Sequence, residues 1–173
     1  CNRRTGCGKT ARPGLCGGCR ATGVPITRSQ RKMTYFPELQ ECDYFKIEHG
    51  CRLVAIGWLE AGESFSTGSV EKNFFQKISG LLNDPWQPLA TAGSHECSLC
   101  QFEGEIGNKN ILVPFDGRIY VAPELILHYV NCHHYKPPAV FVEAVMNCPD
   151  SRNMEYKKKL LNNGGRDLIR SRR

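Results

Sequence analysis

The 173-residue chain reads as an α+β protein: a small single domain with a zinc knuckle, a β-hairpin and a helix in treble-clef-like order, plus additional helices. Three observations carry that reading. A Cys97-x-x-Cys100 pair sits in a Gly- and Ser-containing stretch, two β-rich runs flank Asp116-Gly117, and a His-bearing helical pattern follows at 125–133. Two thiolates at this spacing share one Zn²⁺ because the intervening turn aims both sulfurs inward.

The elements follow in order. Residues 52–59, centred on Leu53-Val54-Ala55-Ile56, read as a buried strand, and residues 62–68 as a loop rich in Gly, Ser and Thr. Ser69 is placed to cap a helix whose apolar positions Val70, Phe74, Phe75, Ile78, Leu81 and Leu82 recur at helical spacing until Asn83-Asp84-Pro85 stops it. Residues 110–115 and 118–122 form the hairpin, since Asp-Gly suits a turn that needs two positive φ angles. Pro123 and Glu124 suit the first turn of the 125–133 helix, and Pro137-Pro138 ends it. A short apolar helix covers 139–147.

Charge divides the chain into three parts: 1–32, 33–150 and 151–173. The formal charge is +6, but residues 1–32 hold eight cations and no acid, which leaves the remainder at −2. That Gly-rich segment lacks hydrophobic periodicity and is expected to be disordered or non-native, with Met33 opening the zinc-binding α+β domain. Residues 151–173 read as a basic, solvated helix and tail, with an apolar register at Leu160, Leu161, Leu168 and Ile169. Because the positive charge lies in these tails, it is a weak pointer to nucleic acid, and the expected partner is another protein. No run approaches the roughly 20 apolar residues of a membrane span, so no membrane partner is expected. With no secretory signal visible, the expected location is cytoplasmic.

Ten cysteines would suggest disulfides in a secreted chain, but two CxxC pairs plus scattered singles fit metal binding in a reducing compartment. Cys16 and Cys19, with Cys7 upstream, lack a second half-site, and Cys42, Cys51 and Cys148 read as ordinary buried thiols. At the second pair the ligands rank as Cys97 and Cys100, then His128, then His95, with His133 the alternative fourth ligand. Four such donors leave no position for water, so the expected cofactor is a structural Zn²⁺. The enzyme reading uses the same cluster as a zinc-dependent hydrolase or nuclease, with Glu96 as general base. The His95-Glu96-Cys97 string does not fit a zinc deaminase, which carries His-x-Glu and Cys-x-x-Cys on separate elements.

Gly57-Trp58-Leu59, the His95-x-Cys97-x-x-Cys100 string, Ile119 to Pro123, and His128-Tyr129-Val130 with His133, Tyr135 and Pro137-Pro138 together resemble an uncharacterised family of small bacterial proteins, a domain of unknown function. The resemblance spans about Met33 to Asn147. It implies that His95, Cys97, Cys100, His128 and His133 belong to one site, with His134 and Cys132 outside the pattern, and it implies no activity. The function expected is that of a zinc-stabilised binding or adaptor protein.

Overall fold

Asp116 and Gly117 take φ angles of 48° and 70°, the left-handed pair a two-residue hairpin turn demands, and two strands grow from them. In the computed structural model, which describes residues 35–43, 45, 51–88 and 94–170, these are β4 (Asn110–Phe115) and β5 (Arg118–Pro123). Their register runs from Phe115 opposite Arg118 to Asn110 opposite Pro123. The expected hairpin is present, one residue longer at its far end. Pro123 therefore closes a strand instead of opening a helix. The Glu124 carboxylate, expected to favour a helix dipole, accepts hydrogen bonds from the Asn108 and Lys109 amides at 3.1 and 3.3 Å.

A third strand, β1 (Leu53–Ala55), lies parallel to β5, giving the order β1-β5-β4. It is shorter than the predicted 52–59 run because the chain turns at Gly57, whose φ is +68°, although Ile56, Trp58 and Leu59 remain buried. Strand β5 is central, and every residue from Ile119 to Pro123 is buried, the signature of a strand covered on both faces. Pro114 sits in β4, an edge strand of this sheet, where a missing amide donor is tolerated.

Helix α1 (Lys72–Asn83) buries Phe74, Ile78, Leu81 and Leu82, the predicted apolar stripe. Its N-cap is Glu71, with no side-chain cap bond, so the expected Ser69 cap is not formed. Between α1 and the hairpin lies a small two-stranded ladder, β2 (His95–Glu96) and β3 (Ile106–Gly107). After the hairpin come α2 (Ile126–Cys132) and α3 (Ala139–Met146), and α3 packs against α1 and β4. Phe141 of α3 meets Phe74 of α1 and Tyr120 of β5 edge-on, with centroids 6.4 and 6.0 Å apart. No helix among the described residues is long and apolar enough to cross a membrane.

The C-terminal segment departs most from expectation. Helix α4 (Met154–Asn162) is capped by Asn153, whose side chain accepts from the Glu155 amide, and α5 (Arg166–Arg170) follows. Tyr156, Leu160 and Leu168 are buried in the same core as β1 and β5. The Tyr156 hydroxyl donates to the Leu112 carbonyl at 2.7 Å, and the Asn163 side chain accepts from the Gly117 amide at 2.6 Å, tying α4 to β4 and to the hairpin turn. Residues 151–170 thus pack into the domain through Tyr156, Leu160 and Leu168, while the lysine-bearing face of α4 and Arg152, Arg166 and Arg170 stay exposed. The basic 1–32 segment, with Cys1, Cys7, Cys16 and Cys19, lies outside the described residues.

A second tie joins the region before β1 to the chain beyond α2. Glu38 accepts from the Tyr135 hydroxyl at 2.7 Å and from the Gly57 amide at 3.3 Å. Burial raises the Glu38 carboxyl above its ordinary 4.5, against the lowering effect of these two bonds. The folded state therefore holds this proton to higher pH than the unfolded chain does. Its contribution to stability is complete below about 4.5 and is lost as pH rises through the raised value. Glu38→Gln should flatten the melting temperature against pH in that window relative to wild type, measured by calorimetry. Leu160→Ala should cost about 2–5 kcal/mol in urea unfolding, whereas a solvated tail would give a change below about 0.5 kcal/mol.

Candidate metal centre

The knuckle is a tight loop between two strands of two residues each. The Cys97 amide donates to the Glu105 carbonyl at 2.9 Å, closing it. Gly104 makes this closure possible: a Cβ there would stand 2.3 Å from the Cys97 carbonyl oxygen and 3.2 Å from the Cys97 nitrogen. Ser98 fastens the loop to the body by accepting from the Ala61 amide at 2.9 Å.

Helix α2 and its exit supply the other half. His128 lies in the first turn, and His133 is the C-cap, its amide donating to the Tyr129 carbonyl at 3.1 Å. His134 then takes φ +53°, a left-handed conformation that histidine adopts more readily than most residues. The Tyr135 amide returns to the same Tyr129 carbonyl at 3.0 Å. Beyond it, Thr67 pairs with Tyr135, and the Gly68 and Lys136 amides bond the His134 and Ser66 carbonyls at 2.8 and 2.9 Å. The predicted 62–68 loop thus clamps the histidine-bearing exit.

These two halves bring Cys97, Cys100, His128 and His133 together, one donor atom from each lying within 4.8 Å of all the others. The Nε2 atoms of His128 and His133 are 3.2 Å apart. Cys100 Sγ is 3.3 Å from His128 Nε2 and 3.5 Å from His133 Nε2, and Cys97 Sγ is 3.3 Å from His133 Nε2. On its far side, His128 Nδ1 lies 2.9 Å from a Glu105 carboxylate oxygen. A proton on Nδ1 satisfies that contact and leaves the Nε2 lone pair facing the cluster, the arrangement found for metal-bound histidines. This donor set is a candidate metal site.

His95, ranked above His133 from the sequence, stands outside the four-residue group. Its Nε2 is 2.9 Å from the Tyr129 hydroxyl, and its ring meets Trp58 edge-on at 5.6 Å. The register explains this position. His95 pairs with Gly107, whose added Cβ would point at Glu124 and Leu125 at the start of α2, and Glu96 pairs with Ile106 on the opposite face. Histidine at position 95 therefore packs under the knuckle, while Glu96 is turned away from His95 and Tyr129.

Burial governs the protonation of the cluster as it stands. The Cys97 thiol is pushed up to about 11, chiefly by desolvation. His133 is lowered by burial and then by the neighbouring His128 and His134, and His95 is lowered by burial. A bound divalent cation reverses this preference for thiols by stabilising the thiolate directly. Among the other cysteines, Cys42 and Cys148 are buried, Cys51 is half-buried and Cys132 is exposed.

Three contributors were not read from the sequence: Gly104, Glu105 and Tyr129. Glu103-Gly104-Glu105 does signal a turn with acids beside a CxxC pair, but only the fold shows which acid faces His128. Tyr129 lay between two candidate ligands, and its carbonyl proves to hold both amides of the helix exit.

Residues 34–146 match the family described as "Domain of unknown function (DUF7919)", and the chain belongs to it. The match includes all four residues of the cluster and ends at the last residue of α3. No curated protein and no solved structure matches the chain. Gly104→Ala should force the knuckle open, lowering both metal affinity and the melting temperature. A variant that binds metal as wild type does would show that the loop tolerates the displacement of Cys97.

Proposed function

We propose that this protein is a small bacterial, cytoplasmic binding or adaptor protein whose interaction surface is held in shape by one structural zinc ion. Cys97, Cys100, His128 and His133 would hold the ion, in a treble-clef-like order of knuckle, hairpin and helix. The observation that carries the reading is the size of the donor cluster. Zn–S bonds of about 2.3 Å and Zn–N bonds of about 2.0–2.1 Å in a tetrahedron give N–N edges of about 3.3 Å and S–N edges of about 3.5 Å. The cluster has an N–N separation of 3.2 Å, and three of its S–N pairs, Cys97–His133, Cys100–His128 and Cys100–His133, lie at 3.3 to 3.5 Å. Two sulfurs and two nitrogens fill the four positions of a structural zinc, and Glu105 behind His128 supplies the outer carboxylate such sites favour.

The competing reading makes the same ion catalytic in a hydrolase or nuclease, with Glu96 as base. The pairing of Glu96 with exposed Ile106 argues against it, because a general base must reach a reacting group beside the metal.

Elemental analysis with X-ray absorption on the purified protein should give one zinc per chain with two sulfur and two nitrogen neighbours. Cys97→Ser, Cys100→Ser and His133→Ala should each lose zinc and unfold the knuckle, because structural zinc binding contributes folding free energy. His95→Ala should keep the stoichiometry, and Glu96→Gln should shift stability by no more than about 0.5 kcal/mol. An oxygen ligand at zinc, together with a hydrolytic activity abolished by Glu96→Gln while the metal stays bound, would replace the adaptor reading with the enzyme.

A further inference from the structure

Two solvent-facing patches on this domain are complementary in charge. The first is the knuckle loop and the strand that leaves it, where Phe102 of the loop is 87% exposed and Ile106 of β3 63%. Around them residues 94–107 contain Glu96, Glu103 and Glu105 and no lysine or arginine. The second is the outer face of α4. Met154, Lys157, Lys158 and Leu161 fall at the i, i+3, i+4, i+7 spacing of one helical face, with Met154 65% and Leu161 43% exposed. Both lysines on this face are exposed, and no salt bridge among the described residues involves them.

Four of the six exposed large hydrophobic side chains among the described residues lie in these two patches. One pair lies in an acidic stretch of sequence and the other is interleaved with lysines. Isolated exposed apolar residues are ordinary on any surface. Two apolar pairs of similar size, each carrying the charge that suits the other, call for a common explanation.

We propose that the knuckle of one molecule docks on the α4 face of a second copy of the chain, with Phe102 and Ile106 against Met154 and Leu161, and the exposed Glu103 of the acidic loop beside Lys157 and Lys158. The two surfaces differ, so the contact is heterologous, and the pair keeps one free patch of each kind, one on each copy, from which assembly continues. Two small apolar pairs make a contact at the weak, small end of specific interfaces. The proposal rests on the zinc-held knuckle described above, since the loop presents Phe102 only while closed, and zinc content is therefore measured on every variant.

The test is sedimentation velocity on the full chain across a concentration series reaching about 1 mM, the weak limit of specific association. Wild type should show a sedimentation coefficient that rises with concentration and falls back on adding salt, which screens the charged rim. Two double variants, Phe102→Ser with Ile106→Ser and Lys157→Glu with Lys158→Glu, should each retain zinc and weaken association at least about tenfold. Mixing the two variants should restore one 1:1 pair that grows no further, because each retains the patch the other lacks. A wild type that stays monomeric with zinc bound would overturn the proposal and leave the zinc reading standing. Association that survives both sets of substitutions, or a mixture that does not pair, would equally overturn it. A chain that holds no zinc would sink the zinc reading, and the docking would then stand only if both sets of substitutions still abolished association and the mixture still paired.

Discussion

The four-residue donor cluster depends on where strand β5 ends. Buried on both faces and paired with β1 on one side and β4 on the other, β5 has no freedom to slide, since a shift of one residue would turn its side chains to the wrong face. Its last residue, Pro123, is paired with Asn110, and the next residue holds the Asn108 and Lys109 amides through its carboxylate. One short stretch therefore fixes both the start of α2, which with its exit carries the two histidines, and the return of the chain from β3, which follows the knuckle. The two halves of the donor set meet because they are anchored at one end of one strand.

The chemistry of the cluster follows from that enclosure. Removing Cys97 from water favours its protonated thiol, and the same burial keeps His133 neutral. A neutral imidazole is already the ligand form at His133, so the cost of binding a cation falls on the Cys97 thiol, which must lose its proton. A carboxylate 2.9 Å from His128 Nδ1 orients that ring with its Nε2 toward the cluster while Glu105 itself remains largely solvated.

Much of this was legible in the sequence, and the exceptions share a cause. The hairpin was readable because Asp-Gly acts locally, and α1 because its stripe of Phe74, Ile78, Leu81 and Leu82 has a clean helical period. Cys97, Cys100 and His128 were readable from ligand type and spacing. The choice between His95 and His133 was not, because it turns on which face of a two-residue strand looks inward and on a left-handed residue at His134 that redirects the chain after α2. Neither leaves a periodic trace. The burial of Tyr156, Leu160 and Leu168 was hidden in another way. Three consecutive lysines dominate the composition of α4, while the two residues that anchor it, Tyr156 and Leu160, mark an i, i+4 stripe too narrow to outweigh them.

The exposure of Phe102 and Ile106 has its origin in the same economy. A ladder of two residues against two has almost no apolar surface with which to stabilise itself, and a hairpin that short is at best marginal in water. Under the proposed zinc reading, ligation by four side chains, two from the loop and two from α2 and its exit, would substitute for the core that the loop lacks. Side chains on the outer surface of such a loop would then be released from packing duty, with the Cys97 amide bond holding the shape from within. Large apolar residues placed there weaken solubility and add nothing to the fold. For the proposed docking surface their placement on a closed loop matters, because an anchor already fixed in place loses little conformational entropy when a partner closes over it.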